Sequence, residues 1–301
     1  MRTMQVAAQG SCSGIRRIAL TFDDAPAGDG PLMTGTDRTD TLIRNLARCG
    51  AKGAMFFACT GGIAKQRDGA LRLRRYRRAG HLLANHSHGH KALSTTPVVD
   101  YLADIDRASK VLQSFGFVAP FFRHPYLDEG PSRDLQRRVD TALSQRSFRK
   151  GYVTVVTYDF YLQDLVSKAA AAGQRVDLDG LKDIYIEMIV GCANFYDVLA
   201  VKVIGRSPAH ILLLHENDLA AFFLVDLVAA LAHSNWKIVP TIEAFSDAIA
   251  KIDPDTVFRN QGHIAAIAHA AGWKRKALVP VYEEEDYIQH LFNSRVLKTP
   301  V

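Results

Sequence analysis

Ile18-Ala19-Leu20-Thr21-Phe22-Asp23-Asp24 reads as a buried strand stopped by two adjacent carboxylates. Neighbouring residues leaving a strand point different ways, so the two aspartates can hold different jobs. One can complete a metal site and the other can face a substrate. On its own, an Asp-Asp pair after a strand is an ordinary turn.

A second stretch, Asn85-His86-Ser87-His88-Gly89-His90, gives the pair a context. His86 and His90 are four apart, so in one turn of helix both imidazoles would project from the same face. Two neutral imidazoles are half of a metal site, and a carboxylate from the first stretch supplies a third ligand. Taken alone, the run reads equally well as three histidines in a polar surface turn.

Working outward, strand and helix signals alternate along the chain, the pattern of an α/β protein with a parallel sheet and helices outside. Strands are expected at Ala54–Phe57, Phe121–Phe122, Tyr152–Tyr158, Ile211–Leu214 and Lys237–Val239. Helices are expected from an Asp37 cap to Gly50, over Leu71–Ala79, from Pro97 to Gly116, over Ser132–Gln145, Leu178–Tyr196, Leu219–His233 and Thr241–Ile252, with two more at Ile264–Ala271 and Glu284–Leu291. The polar groups Asp23, His86, Arg123, Asp159 and His215 each follow directly on a strand. Chemistry at the C-terminal ends of strands is the layout of an α/β barrel.

Four motifs occur in order: Thr21-Phe22-Asp23-Asp24, His86-Ser87-His88-Gly89-His90, Arg123-His124-Pro125-Tyr126 and Leu212-Leu213-Leu214-His215. Together they resemble the polysaccharide deacetylase family, the NodB-homology group or carbohydrate esterase family 4, over roughly residues 17 to 250. The resemblance implies a distorted (β/α)7 barrel. It implies a 17–250 catalytic domain between a 1–16 N-terminal extension and a 251–301 C-terminal helical appendage. It also implies a metal-dependent hydrolase that removes acetyl groups from N-acetylated or O-acetylated sugars of a polysaccharide, such as chitin oligomers or peptidoglycan. The alternatives are another non-peptide amide, cyclic or formyl, as substrate, or a non-catalytic carbohydrate-binding protein.

Carried over residue by residue, Asp24, His86 and His90 are expected to ligate a divalent metal, with zinc favoured and cobalt, nickel or iron acceptable to the same donors. Asp23 is expected as general base, Arg123 as the partner that aims it, and Tyr126 as the residue whose backbone N–H binds the oxyanion. His215 is expected as general acid and Asp159 as the group that orients it. The chain departs from the family at Tyr126-Leu127-Asp128-Glu129-Gly130, where glycine often follows earlier, and at Phe160–Asp164, where tryptophan is usual. Both departures bear on the shape of the substrate pocket. His88 is an additional histidine with no assigned role.

The composition fits this reading. The chain has 301 residues, of which 48% are hydrophobic and 23% charged, enough for a full core. The net charge of +6 suits an anionic wall polymer without requiring one. No run of 18 apolar residues appears, so no transmembrane segment is expected. The arginines Arg72, Arg74, Arg75, Arg77 and Arg78 are expected on a solvated helix face, and with no accompanying motif they do not indicate nucleic acid. The cysteines Cys12, Cys49, Cys59 and Cys192 lack CxxC spacing and suggest neither a zinc knuckle nor a disulfide-dense scaffold, and Cys49 and Cys59 are expected as buried free thiols. Met1–Gly10 has no apolar core of a signal peptide, yet the resemblance implies the periplasm or cell envelope. Oligomeric state is not encoded legibly.

Overall fold

The structure, a computed structural model, describes residues 14–297; Cys12 and most of the expected N-terminal extension lie outside the described residues. The longest strand, β1 (Arg16–Ala25), is buried without interruption from Ile18 to Asp23. Burial on both faces is what a central strand of a parallel sheet requires.

The other strands are β2 (Met55–Ala58), β3 (Leu82–Asn85), β4 (Phe121–Phe122), β5 (Arg149–Lys150), β6 (Ala209–His215) and β7 (Trp236–Ile238). They form one curled, wholly parallel sheet in the order β5-β4-β3-β2-β1-β6, with β7 pairing the start of β1. Helices cover its outside, and the arrangement is a distorted (β/α)7 barrel. The core under them includes a stack of Phe22, Phe56 and Tyr76, with ring centroids 4.9 and 3.8 Å apart.

Parallel register decides where the chemistry falls. β1 pairs with β6 so that Asp23 stands beside His215. The chain leaving β3 donates from His86 N to Ala58 O, and that leaving β4 donates from Arg123 N to Asn85 O, at 3.0 and 3.1 Å. Asp23, His86, Arg123 and His215 therefore share one end of the sheet.

Four sequence expectations differ from the structure. Tyr152–Tyr158 is not a regular strand: it bridges β6 only at Val155 and Leu212. Side chains take over part of the ladder there, with Ile211 N donating to Thr154 Oγ1 at 2.7 Å and Thr157 Oγ1 donating to Leu213 O at 2.6 Å beside the backbone bond from Leu213 N to Val155 O. Thr241–Ile252 is a short helix (Thr241–Ala244) and a separate 3₁₀ turn (Ala248–Lys251). Asp247 divides them by accepting from Ala209 N and Ile249 N. The cap of the first helix is Thr34, whose Oγ1 accepts from Asp37 N at 3.2 Å, so Asp37 stands three residues on rather than at the cap.

The fourth difference is Arg72, which is not on a solvated face but buried. It lies against Glu216 at 2.7 Å, and its Nη1 donates to Ala27 O at 2.7 Å. Tyr76 Oη and Ala27 N also donate to Glu216, each at 2.7 Å. A second buried pair, Arg38 with Asp218, again at 2.7 Å, lies close by. Glu216 and Ala27 flank the two ends of the site motifs, so these pairs tie the loop after β1 to the end of β6.

The helix Leu178–Ile204 is long and apolar enough to cross a membrane, but more than half of that apolar stretch is buried inside the protein, as in a core helix. The segment after Ile252 contributes Phe258, Ile264, Ile288 and Phe292 to the main core rather than packing loosely on it. The described cysteines Cys49, Cys59 and Cys192 are free.

Candidate active site

The ends of β1 and β3 gather the proposed ligands. Asp24 Oδ1 lies 3.1 Å from His90 Nε2 and 3.6 Å from His86 Nε2. Ligand atoms of Asp24, His86 and His90 all fall within 4.8 Å of one another. The Asp24 side chain is half-exposed, yet its Oδ1 is sealed from solvent and makes no well-formed hydrogen bond among the described residues. A buried carboxylate oxygen without a hydrogen bond is costly unless a cation completes it. The donor set, one carboxylate and two imidazoles, suits a divalent metal.

Burial would raise the Asp24 carboxyl, but the His90 imidazole beside it and the positive charge of His215 help to hold it well below the usual carboxylate range. Burial pushes His86 down, against the opposing pull of Asp23 and Asp24, which favours the neutral imidazole that ligation needs. Its Nδ1–H is directed at Arg123 O, at 2.9 Å, so the Nε2 lone pair faces the other ligands.

The two histidines do not meet on a helical turn. They are joined by a loop in which Ser87 and His90 have left-handed φ of 68° and 51°. Asp104 holds this loop by accepting from His88 N and Gly89 N at 2.9 and 2.7 Å, and His90 N donates to Ser87 Oγ at 3.0 Å. His88 is turned aside, with Nδ1 at 2.9 Å from Thr60 Oγ1. Asp24 and Tyr126 are also left-handed, at φ 69° and 58°. Each such non-glycine residue costs about 1–3 kcal/mol, and such strain concentrates at functional sites.

Asp23 is paired on its other side. Arg123 Nη1 donates to Asp23 Oδ1 at 2.6 Å and to Thr21 Oγ1 at 2.9 Å, while Arg123 Nε donates to Gly151 O at 2.7 Å. The guanidinium also lies 3.8 Å from the centre of the Phe57 ring. With the arginine held by that many contacts, Asp23 Oδ2 is left 3.6 Å from His86 Nε2.

Across the pocket, His215 Nδ1 lies 2.7 Å from Asp159 Oδ1, and His215 N donates to Asp159 Oδ2 at 2.9 Å. Asn217 Nδ2 donates to the same carboxylate at 3.0 Å. Burial would lower His215, but Asp159, helped by Asp24 and Asp23, pushes it up to about 9. Its ring is therefore protonated at neutral pH.

Tyr126 is not a buried aromatic. Its side chain is 65% exposed and its ring meets that of His90 edge-on at 4.6 Å. A cavity of about 270 Å³ joins Asp23, Asp24, His86, His90, Tyr126 and His215. Phe160, named from the sequence as bearing on pocket shape, is one of its walls, whereas Tyr158, Leu213, Asn260 and Gln261 were missed by sequence reasoning. Phe160 packs edge-on against His215 at 5.4 Å. Leu213 stood inside a quoted motif, whereas Asn260 and Gln261 carried no signal. Larger cavities of about 450 Å³ open elsewhere, but none of them gathers this set.

A family model described as polysaccharide deacetylase matches residues 10–143. No curated protein matches the chain's sequence. Among solved structures, the peptidoglycan deacetylase PdaC from Bacillus subtilis is 18% identical, with 76% of this chain and 90% of that chain covered and a TM-score of 0.48. A family 4 carbohydrate esterase from Streptomyces lividans, in complex with acetate, is 20% identical over 76% and 95% of the two chains, at a TM-score of 0.46. A CE4 family pseudoenzyme from Bacillus anthracis is 13% identical over 74% and 63%, at 0.50, and shares the fold. The parallel curled sheet and the four motifs in order agree with this match, so the chain is similar to the polysaccharide deacetylase family over residues 10–143.

Proposed function

We propose that this protein is a metal-dependent deacetylase acting on acetylated sugars of an envelope polysaccharide such as peptidoglycan or chitin oligomers, in the periplasm or at the cell surface. The observation that carries this reading is the buried Asp24 Oδ1, without a hydrogen bond, facing two imidazole nitrogens between an arginine-paired Asp23 and an aspartate-paired His215. Asp24, His86 and His90 would hold the cation, zinc by preference. When bound, such an ion supplies Lewis acidity toward the acyl oxygen and acidifies a water.

The remaining work falls to the chain. Asp23, its Oδ1 spent on Arg123, has Oδ2 free to take a proton from the attacking water. His215, held protonated by Asp159, gives its Nε2 proton to the departing amine nitrogen. The Tyr126 backbone N–H serves the developing oxyanion. The test is acetate release from chitin oligomers, peptidoglycan and acetylxylan by zinc-loaded protein, with a chelator control. Release from at least one of them, abolished by the chelator, supports the reading. No release from any, with the metal in place, would return the protein to the non-catalytic alternative or to another amide.

Two predictions arise from the paired groups. Arg123→Ala removes the contact that aims Asp23, so acetate release should fall at least tenfold, by about the loss of one charged hydrogen bond. Zinc content should stay near that of wild type, and a variant with full turnover would deny Arg123 its positioning role. Asp159→Asn removes the charge that raises His215. The acid form of His215 should then be lost at lower pH, so the falling basic limb of kcat, near pH 9 in wild type, should move toward neutrality. An unmoved limb would mean that His215 is not the acid.

A further inference from the structure

One wall of the pocket comes from a segment far from the motifs. Asn260 and Gln261 line the same cavity as Asp24, His90 and His215, although they follow the family-matched stretch by more than a hundred residues. The segment is fastened firmly. His263 N donates to Val153 O at 2.7 Å, and the buried Arg259 donates to Thr256 O at 3.1 Å and Pro254 O at 2.7 Å. Gly262, at φ 78°, sits so close that an added Cβ would lie 3.0 Å from Val153 O.

Gln261 is also held from behind. Tyr196 Oη lies 3.4 Å from Gln261 Oε1 and 2.7 Å from Glu283 Oε1. Glu283 is buried, its Oε2 has no hydrogen-bond partner among the described residues, and burial pushes it up to about 8. Burial thus favours the uncharged acid form of the carboxyl behind the wall. Beside it stand the rings of Tyr158 and Phe160. Neutral amides next to aromatic faces suit an uncharged polyhydroxylated ring, with the amides fixing orientation and the aromatics supplying contact area.

We infer that Asn260 and Gln261 are specificity-determining residues that hydrogen-bond hydroxyls of the sugar ring carrying the scissile acetyl group. This rests on the proposed reaction, and the test separates the two. Affinity for an N-acetylglucosamine oligosaccharide is measured by calorimetry on zinc-loaded protein carrying Asp23→Asn, to prevent turnover. The same background is then given Gln261→Ala or Asn260→Ala. Each is expected to weaken binding about tenfold, the order of one lost hydrogen bond to a neutral group. Zinc content and unfolding temperature are followed in parallel. Affinity within twofold of the parent for both variants, or a loss that tracks loss of zinc, overturns the inference. If the Asp23→Asn parent binds and the variants do not, while wild type releases no acetate, the wall assignment stands and the proposed reaction fails. A parent with no affinity for the sugar overturns both.

Discussion

Asp23→Asn should leave the fold and the metal in place and lower turnover by about 10²–10⁴-fold, the usual scale for removing a general base. Asparagine matches aspartate in size, and its carbonyl can still accept from Arg123 Nη1, which lies 2.6 Å from Asp23 Oδ1. It cannot take a proton at Oδ2. Asp24→Ala should behave differently, because its Oδ1 is the carboxylate oxygen that faces both His86 and His90, at 3.6 and 3.1 Å. Metal and activity should be lost together. Acetate release and zinc content, measured on both variants, check the division. An active Asp23→Asn protein would contradict it.

Arg72→Ala should be among the most destabilising single changes, by about 3–5 kcal/mol, because it strands a fully buried carboxylate. Glu216 now receives Arg72, Tyr76 Oη and Ala27 N, and Thr39 Oγ1 lies 3.3 Å away. Losing the guanidinium leaves only neutral donors around a charge with no access to water. Glu216 follows His215 directly, so the variant that survives should also hold its site less firmly. Urea unfolding of wild type and variant measures the cost. A difference under 1 kcal/mol would mean that the pair contributes little, as surface pairs do.

The layout of strands and helices was legible because the apolar runs of a parallel sheet are continuous and the chemical residues sit at their ends. Asp23 beside His215 follows from the register of two such runs. What was not legible has particular causes. Thr154 and Thr157 take over part of the β6 ladder with their side chains, so a β-rich run gives only one bridge. The histidines approach through left-handed Ser87 and His90 rather than a helical turn, a conformation that periodicity cannot announce. Arg72 looks like its solvated neighbours Arg74 and Arg78 until Glu216, 144 positions away, is seen against it. Asn260 and Gln261 reach the pocket only through tertiary packing of a segment that shares no motif with the site.

The central claim is that Asp24, His86 and His90 form one metal site on which the rest of the chemistry depends. Elemental analysis of protein purified without added metal, and of the Asp24→Ala, His86→Ala and His90→Ala variants, tests it most directly. The expected result is about one divalent ion per wild-type chain, with zinc predominating, and sharply reduced metal in all three variants with unfolding curves intact. Wild-type metal content in the two histidine variants would contradict the assignment.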